Sequence, residues 1–289
     1  MTLTEALAWA MFGQKNSLSD DSTTIEMVER RDAESVLLHV LGKSTAFLRT
    51  WPDFMLSAEQ VTQYQRAIGR LRAGEPLAYV LGEQAFWKLT LQVTPDTLIP
   101  RPDTERLVEA ALTRMSAAQG RVLDLGTGSG AIALSLAAEH PTWQVLASDF
   151  SAAALAVARS NAIKNSLSNC EFRCGSWFDV VDEGEKFDLI VSNPPYIDLD
   201  DTHLAALTHE PITALTAPQH GLADLVQIVA GAGRHLLDAG WLLVEHGYDQ
   251  GLIVRELFTQ AGFMQVDTLR DYGGNERVTL GQWVVRNVS

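Results

Sequence analysis

Asn193-Pro194-Pro195-Tyr196 closes the apolar run Phe187-Asp188-Leu189-Ile190-Val191-Ser192 and carries the most specific chemistry in the chain. Neither proline can donate a backbone hydrogen bond, and each fixes its own φ near −65°. Each also pushes the residue before it towards extended backbone. The spacing therefore predicts a strand that delivers a stiff turn whose carbonyls at Asn193 and Pro194 face outward as acceptors. An amide side chain and an aromatic ring stand beside them. Such a turn suits a planar NH2 group gripped by both hydrogens with its face open to attack, which is the arrangement nitrogen methylation needs.

A second constellation, Asp124-Leu125-Gly126-Thr127-Gly128-Ser129-Gly130, sits where an apolar strand runs into a helix. Three glycines there permit a tight turn and let a ligand approach the backbone at a helix N-terminus. Asp149 follows Gly130 by 19 residues, at the end of the next apolar run, where a carboxylate can accept from ribose hydroxyls. Gly126, Gly128 and Ala131 also satisfy the dinucleotide fingerprint, so a nicotinamide dehydrogenase is the competing reading. Asp124 argues the other way: it would repel a pyrophosphate and welcome an ammonium, as in S-adenosylmethionine. Trp177, in Ser176-Trp177-Phe178, is expected either to stack on an adenine or to serve the core.

These groups need a sheet to position them. From residue 121 strand and helix alternate: strands at Arg121–Leu125, Trp143–Ser148, Cys170–Phe172, Leu189–Ser192, Gly240–Val244, Gln265–Leu269 and Arg277–Val285. Helices are expected at Ala131–Ala138, Ala152–Ala162, Leu222–Leu237 and Ile253–Ala261. The pattern predicts an α/β fold with a mostly parallel sheet. Residues 1–83 read instead as short helices. Thr2 with Glu5 and Ser57 with Gln60 form capping boxes, and Gly13, Gly42 and Gly74 are helix stops. Ala33, Val36, Leu37, Val40 and Leu41 make one apolar face. Residues 84–100 form a strand-like bridge, and Pro102 opens a further helix in the 101–289 domain.

Composition narrows the classes. The 289 residues carry 36 acidic against 22 basic side chains, a formal charge of −14. No basic stripe of the kind that neutralises phosphate backbones is evident, which speaks against a nucleic-acid partner. No apolar run reaches the roughly 20 residues needed to span a bilayer, and the first residues lack the basic region of a signal peptide; the expected location is the cytoplasm. Cys170 and Cys174 stand in a C-x3-C spacing with no nearby histidine, so no metal is expected.

With these motifs in place the chain resembles class I S-adenosylmethionine-dependent methyltransferases of the N-P-P-Y group. Pro76–Gly82, Ile99-Pro100-Arg101-Pro102-Asp103-Thr104-Glu105, Asn193–Ile197, Glu245-His246-Gly247 and Arg270–Arg277 make it similar to release factor glutamine methyltransferases in particular. That resemblance implies a Rossmann-like domain with a seven-stranded sheet whose last strand is antiparallel, behind a small N-terminal helical domain that recognises the partner. It implies S-adenosylmethionine as methyl donor, S-adenosylhomocysteine as product, and as substrate the glutamine N5 of the Gly-Gly-Gln motif in class I release factors, with an effect on translation termination. Cofactor contacts carry over to Gly126, Thr127, Gly128, Ser129, Gly130, Asp149, Trp177 and Asn193. Glutamine contacts carry over to Asn193, Pro194, Pro195 and Tyr196, with Asn193, Pro194 and Tyr196 in the catalytic roles. A sister enzyme acting on a ribosomal protein shares the proline turn and is the nearest alternative.

Overall fold

The structure is a computed structural model that describes residues 1–12, 28–115 and 117–285, with His203 by its backbone alone. Two compact units emerge, Met1–Glu83 and Gln84–Ser289.

The first unit holds α1 (Leu3–Phe12), α2 (Arg30–Leu41), α3 (Thr45–Thr50), α4 (Ala58–Arg72) and α5 (Leu77–Leu81). Leu3, Ala6, Val36, Leu37, Tyr64 and Ile68 form its core, on the faces that the apolar spacing marks. Both capping boxes close. Ser57 N donates to Gln60 at 2.9 Å while Gln60 N donates to Ser57 at 3.1 Å, and Thr2 and Glu5 make the same reciprocal pair. Gly42 ends α2 at φ 61°, a left-handed conformation that glycine adopts without a Cβ penalty. The stop expected at Gly13 lies outside the described residues.

A hairpin of β1 (Glu83–Phe86), whose first residue closes the first unit, and β2 (Leu89–Gln92) leads into the second, followed by α6 (Glu105–Arg114). β3 (Arg121–Leu125), α7 (Ala131–Glu139), β4 (Gln144–Asp149), α8 (Ala152–Lys164), β5 (Cys170–Cys174) and β6 (Phe187–Ser192) follow. The chain ends with the short turn α9 (Pro218–Gly221), α10 (Ala223–Ala232), β7 (Leu236–Glu245), α11 (Gly251–Ala261), β8 (Met264–Arg270) and β9 (Glu276–Gln282). The larger sheet runs β5-β4-β3-β6-β7-β9-β8. Its pairings are parallel except at β9, which is antiparallel to β7 and β8.

Alternation along β3 feeds two cores. Val122 packs with α6 and α7, whereas Leu123 and Leu125 pack with α10 and α11. Both faces being covered explains why β3, β6 and β7 read as continuous apolar runs. One expectation needs correcting. The helix predicted over Leu222–Leu237 stops at Ala232, and Leu236 already belongs to β7, where it pairs with Phe187. Gly231 and Gly233 flank that stop, and their lack of side chains lets Phe178 and Trp283 pack where a Cβ would sit. The strand expected over Arg277–Val285 likewise ends at Gln282.

Candidate functional site

Strand order decides where chemistry can happen. From β3 the chain winds outward to β4 and β5, then returns to the other side of β3 with β6 and β7. Open α/β sheets leave a crevice at such a reversal, outside the carboxyl ends of the strands. Register then sets the neighbours: Leu125 pairs with Ser148 on one side and Ser192 on the other. Gly126, Asp149 and Asn193, each following one of those residues, emerge side by side.

A cavity of about 420 Å³ opens there. Gly126, Thr127, Gly128, Ser129 and Asp149 line it from the glycine loop and β4, and Trp177 from the loop after β5. Asn193 and Pro195 line it from the proline turn. Gly130, Pro194 and Tyr196 do not. Gly130 instead starts α7 at φ 88°, where a Cβ would come within 2.8 Å of Leu134. The ring of Tyr196 packs on the core of α10 and α11, and its hydroxyl donates to Glu245 Oε1 at 3.2 Å. Burial and the adjacent Glu245 push that phenol above its ordinary value.

The glycine loop is held from below. Asp124, fully buried, accepts from Thr127 Oγ1 at 2.6 Å and from Ala133 N at 3.2 Å, while its Oδ1 has no partner among the described residues. Burial pushes this carboxyl up to about 7 against those two bonds. Asp124 is thus a brace under the loop rather than part of the cavity wall. Asp149 Oδ2 accepts from Gly128 N at 2.9 Å and Oδ1 from Ser151 N at 2.9 Å, which leaves lone pairs on both oxygens. Burial raises its pKa, and those amides oppose the rise. Trp177 lines the cavity and also packs partly on the core. Its side chain also hydrogen-bonds Asp224, another lining residue.

The remaining wall comes from segments without periodic signal. Pro100, Arg101 and Thr104 line it from before α6, and Pro211, Thr213 and Ala214 from the loop after β6. Glu210 ties these segments together. Nearly buried, it accepts from Ile99 N at 3.0 Å and forms an ion pair with Arg101. Glu105 faces the hairpin instead, accepting from Trp87 N at 2.9 Å. Glu210 and Asp224 were not legible in advance; an acidic residue before Pro211 is the only trace of the first. Both nitrogens of buried His246 are engaged, by the Gly247 carbonyl and the Thr279 hydroxyl, and burial lowers its pKa.

The strand order, the glycine loop and the adjacent proline turn define a class I methyltransferase. The family of methyltransferase small domains matches residues 103–220, and the PrmC N-terminal domain matches residues 26–82. A methyltransferase from Pyrococcus furiosus has the same fold at a TM-score of 0.52 and 19% identity, over 78% of this chain and 100% of that one. The hMettl16 catalytic domain does so at 0.57 and 17%, over 88% and 93%. Sequence relatives are more specific. The release factor glutamine methyltransferase of Pseudomonas aeruginosa is 54% identical over 88% of this chain and 92% of its own length. That of Vibrio cholerae is 51% identical over 87% and 89%, and that of Escherichia coli K12 46% over 88% and 92%. The chain belongs to the release factor glutamine methyltransferase family. Among the described residues, no helix is long and apolar enough to cross a membrane.

Proposed function

We propose that this chain transfers a methyl group from S-adenosylmethionine to the side-chain N5 of the glutamine in the Gly-Gly-Gln motif of class I peptide chain release factors, in the cytoplasm. The observation that carries the reading is that one cavity is lined by both the glycine loop with Asp149 and the proline turn with Asn193. Family membership supplies the substrate class. The helical unit that ends at Glu83 is the partner-recognition domain in this reading, and residues 101–289 are the methyltransferase domain.

The residues present fit the methyl donor. Asp149 keeps free lone pairs for ribose hydroxyls, a Cβ at Gly128 would meet nothing within 4 Å, and Trp177 offers an aromatic face at the cavity edge. Gly126 to Ser129 and Asp149 would hold the cofactor beside Asn193, with Gly130 shaping the turn behind them. S-adenosylmethionine, when bound, supplies an electrophilic methyl on a sulfonium.

An amide nitrogen is a weak nucleophile because its lone pair is delocalised into the carbonyl. Among the described residues, the cavity lining holds no histidine or lysine to deprotonate it. Catalysis here is therefore orientation plus electrostatics. Asn193, on the cavity wall, offers Oδ1 to one amide hydrogen, and the Pro194 carbonyl, set back from that wall, takes the other once the substrate is seated, turning the nitrogen towards the donor. Their partial negative charge favours the positive charge that builds on nitrogen, so they bind the transition state better than the ground state; as the sulfur leaves with its electron pair, the strongly acidic methylated amide gives up one N–H proton to water. Pro195 stiffens the turn, and Tyr196 anchors its far end to Glu245.

Tritiated-methyl transfer tests the reading. A release factor, its Gln→Ala variant, duplex DNA and ribosomal protein are offered separately. Label on the intact release factor alone is expected; label on DNA or ribosomal protein instead would overturn it.

A further inference from the structure

In the Arg101–Glu105 segment, Arg101 meets Glu210 and Glu105 meets the hairpin, but Thr104 does something else. It is 4% exposed, and its Oγ1 accepts from Asn193 Nδ2 at 3.3 Å. Glu245, 1% exposed, lies near enough to the Thr104 hydroxyl for that hydroxyl to favour the charged carboxylate, although no hydrogen bond closes between them. Glu245 Oε1 accepts from Tyr196, while Oε2 is buried with no closed hydrogen bond of its own. One carboxyl therefore adjoins both ends of the proline turn: it is bonded to Tyr196, and it lies beside Thr104, which is bonded to Asn193.

A hydroxyl has one hydrogen and two lone pairs. If the Thr104 hydrogen points to a carboxylate, only lone pairs face Asn193. The Asn193 amide must then turn its NH2 to Thr104 and its oxygen away. We propose that Thr104 and Glu245 are positioning residues that select the amide orientation of Asn193, so that Oδ1 rather than Nδ2 is offered to the substrate's NH2 group. The substrate half of this inference rests on the proposed function; the orientation itself does not.

The device depends on charge. A protonated Glu245 would donate to Thr104, freeing the Thr104 hydrogen for Asn193 and reversing the amide, which would set NH2 against NH2. Glu245 is faced by Tyr196 from the turn, by Arg277 from β9 and by Asp103 from the segment before α6. Arg277 is itself held by Asp271 at 3.1 Å. Burial pushes Glu245 up to about 7, with Arg277 pulling down and Asp103 pushing up, so the reversal falls near neutral pH.

The test is ¹H–¹⁵N spectroscopy of the full chain, with the Asn193 side-chain pair assigned by its loss in Asn193→Ala. In the parent protein this pair should exchange slowly and shift through neutral pH. Thr104→Val, nearly isosteric, should speed exchange about tenfold, Thr104→Ser should restore it, and Glu245→Gln should remove the titration. An unchanged pair in Thr104→Val, or a titration surviving in Glu245→Gln, would overturn the inference. These readings need no substrate, so an enzyme inactive on release factor would sink the functional reading and leave this test standing. In turnover, Thr104→Val should lower kcat about tenfold with the cofactor KM within about twofold, and cause no further loss on an Asn193→Ala background. Additive losses would also overturn it.

Discussion

Glu245→Gln offers a quantitative prediction about stability. Glu245 is buried to 1% exposure at the end of β7, and burial moves its carboxyl from an ordinary 4.5 to about 7. Because the folded value lies above the unfolded one, the protonated form is favoured by the fold. That contribution is complete below about pH 4.5 and is lost as pH rises through about 7. At roughly 1.4 kcal/mol per pH unit, the parent protein should lose about 2–3 kcal/mol relative to Glu245→Gln between about pH 5 and about pH 8. Glutamine has its own fixed cost from lost contact with Arg277 and Tyr196, but a difference between two pH values removes whatever does not titrate. Asp124, also pushed up to about 7, is present in both proteins and cancels. Urea unfolding of both proteins across that range measures the gap. Parallel stability profiles would refute the reasoning, because they would mean that Glu245 does not titrate differently in the fold.

Asn193→Ala removes one of two amide acceptors and should lower kcat by about 10²–10³ in the methyl-transfer assay; near-parental turnover would reject the grip. Gly221→Ala places a Cβ 2.0 Å from the Tyr196 carbonyl oxygen at a φ of +77°, so it should cost about 2–4 kcal/mol in thermal melts and depress turnover. Gly184→Ala, at φ +78° but with nothing within 4 Å of the Cβ, should cost only about 1 kcal/mol and leave activity intact. Glu210→Ala strips a partner from Ile99 N and Arg101 and should destabilise by about 2 kcal/mol while weakening S-adenosylmethionine binding by calorimetry; unchanged affinity would show that the Arg101 wall does not shape the cofactor pocket.

Much of the sheet was readable because local chemistry and position agree. Arg121–Leu125 and Phe187–Ser192 are apolar on both faces since helices cover both, and the glycine loop and proline turn announce themselves through backbone constraint alone. What stayed hidden depends on separation. Glu210 reaches Ile99 across 111 positions and Asn193 reaches Thr104 across 89, and no periodicity encodes such meetings. The loop after β6 has turn residues but no repeat to betray that Pro211 and Thr213 face the cavity. Left-handed Gln219 and His220, next to Gly221, are likewise unreadable in advance. Gln250 donates to the carbonyls of both Tyr196 and His220, locking that turn to the proline motif from another helix end. Asp124 shows the opposite case: its type was legible, but burial turned an expected ligand into a brace.

A crystal complex with S-adenosylhomocysteine and a Gly-Gly-Gln peptide would show directly whether the proline turn grips the glutamine amide. The glutamine nitrogen should lie about 2.7–3.2 Å from both Asn193 Oδ1 and the Pro194 carbonyl oxygen, facing the cofactor sulfur. Those two oxygens turned away from the amide, with the glutamine held by other groups, would contradict it.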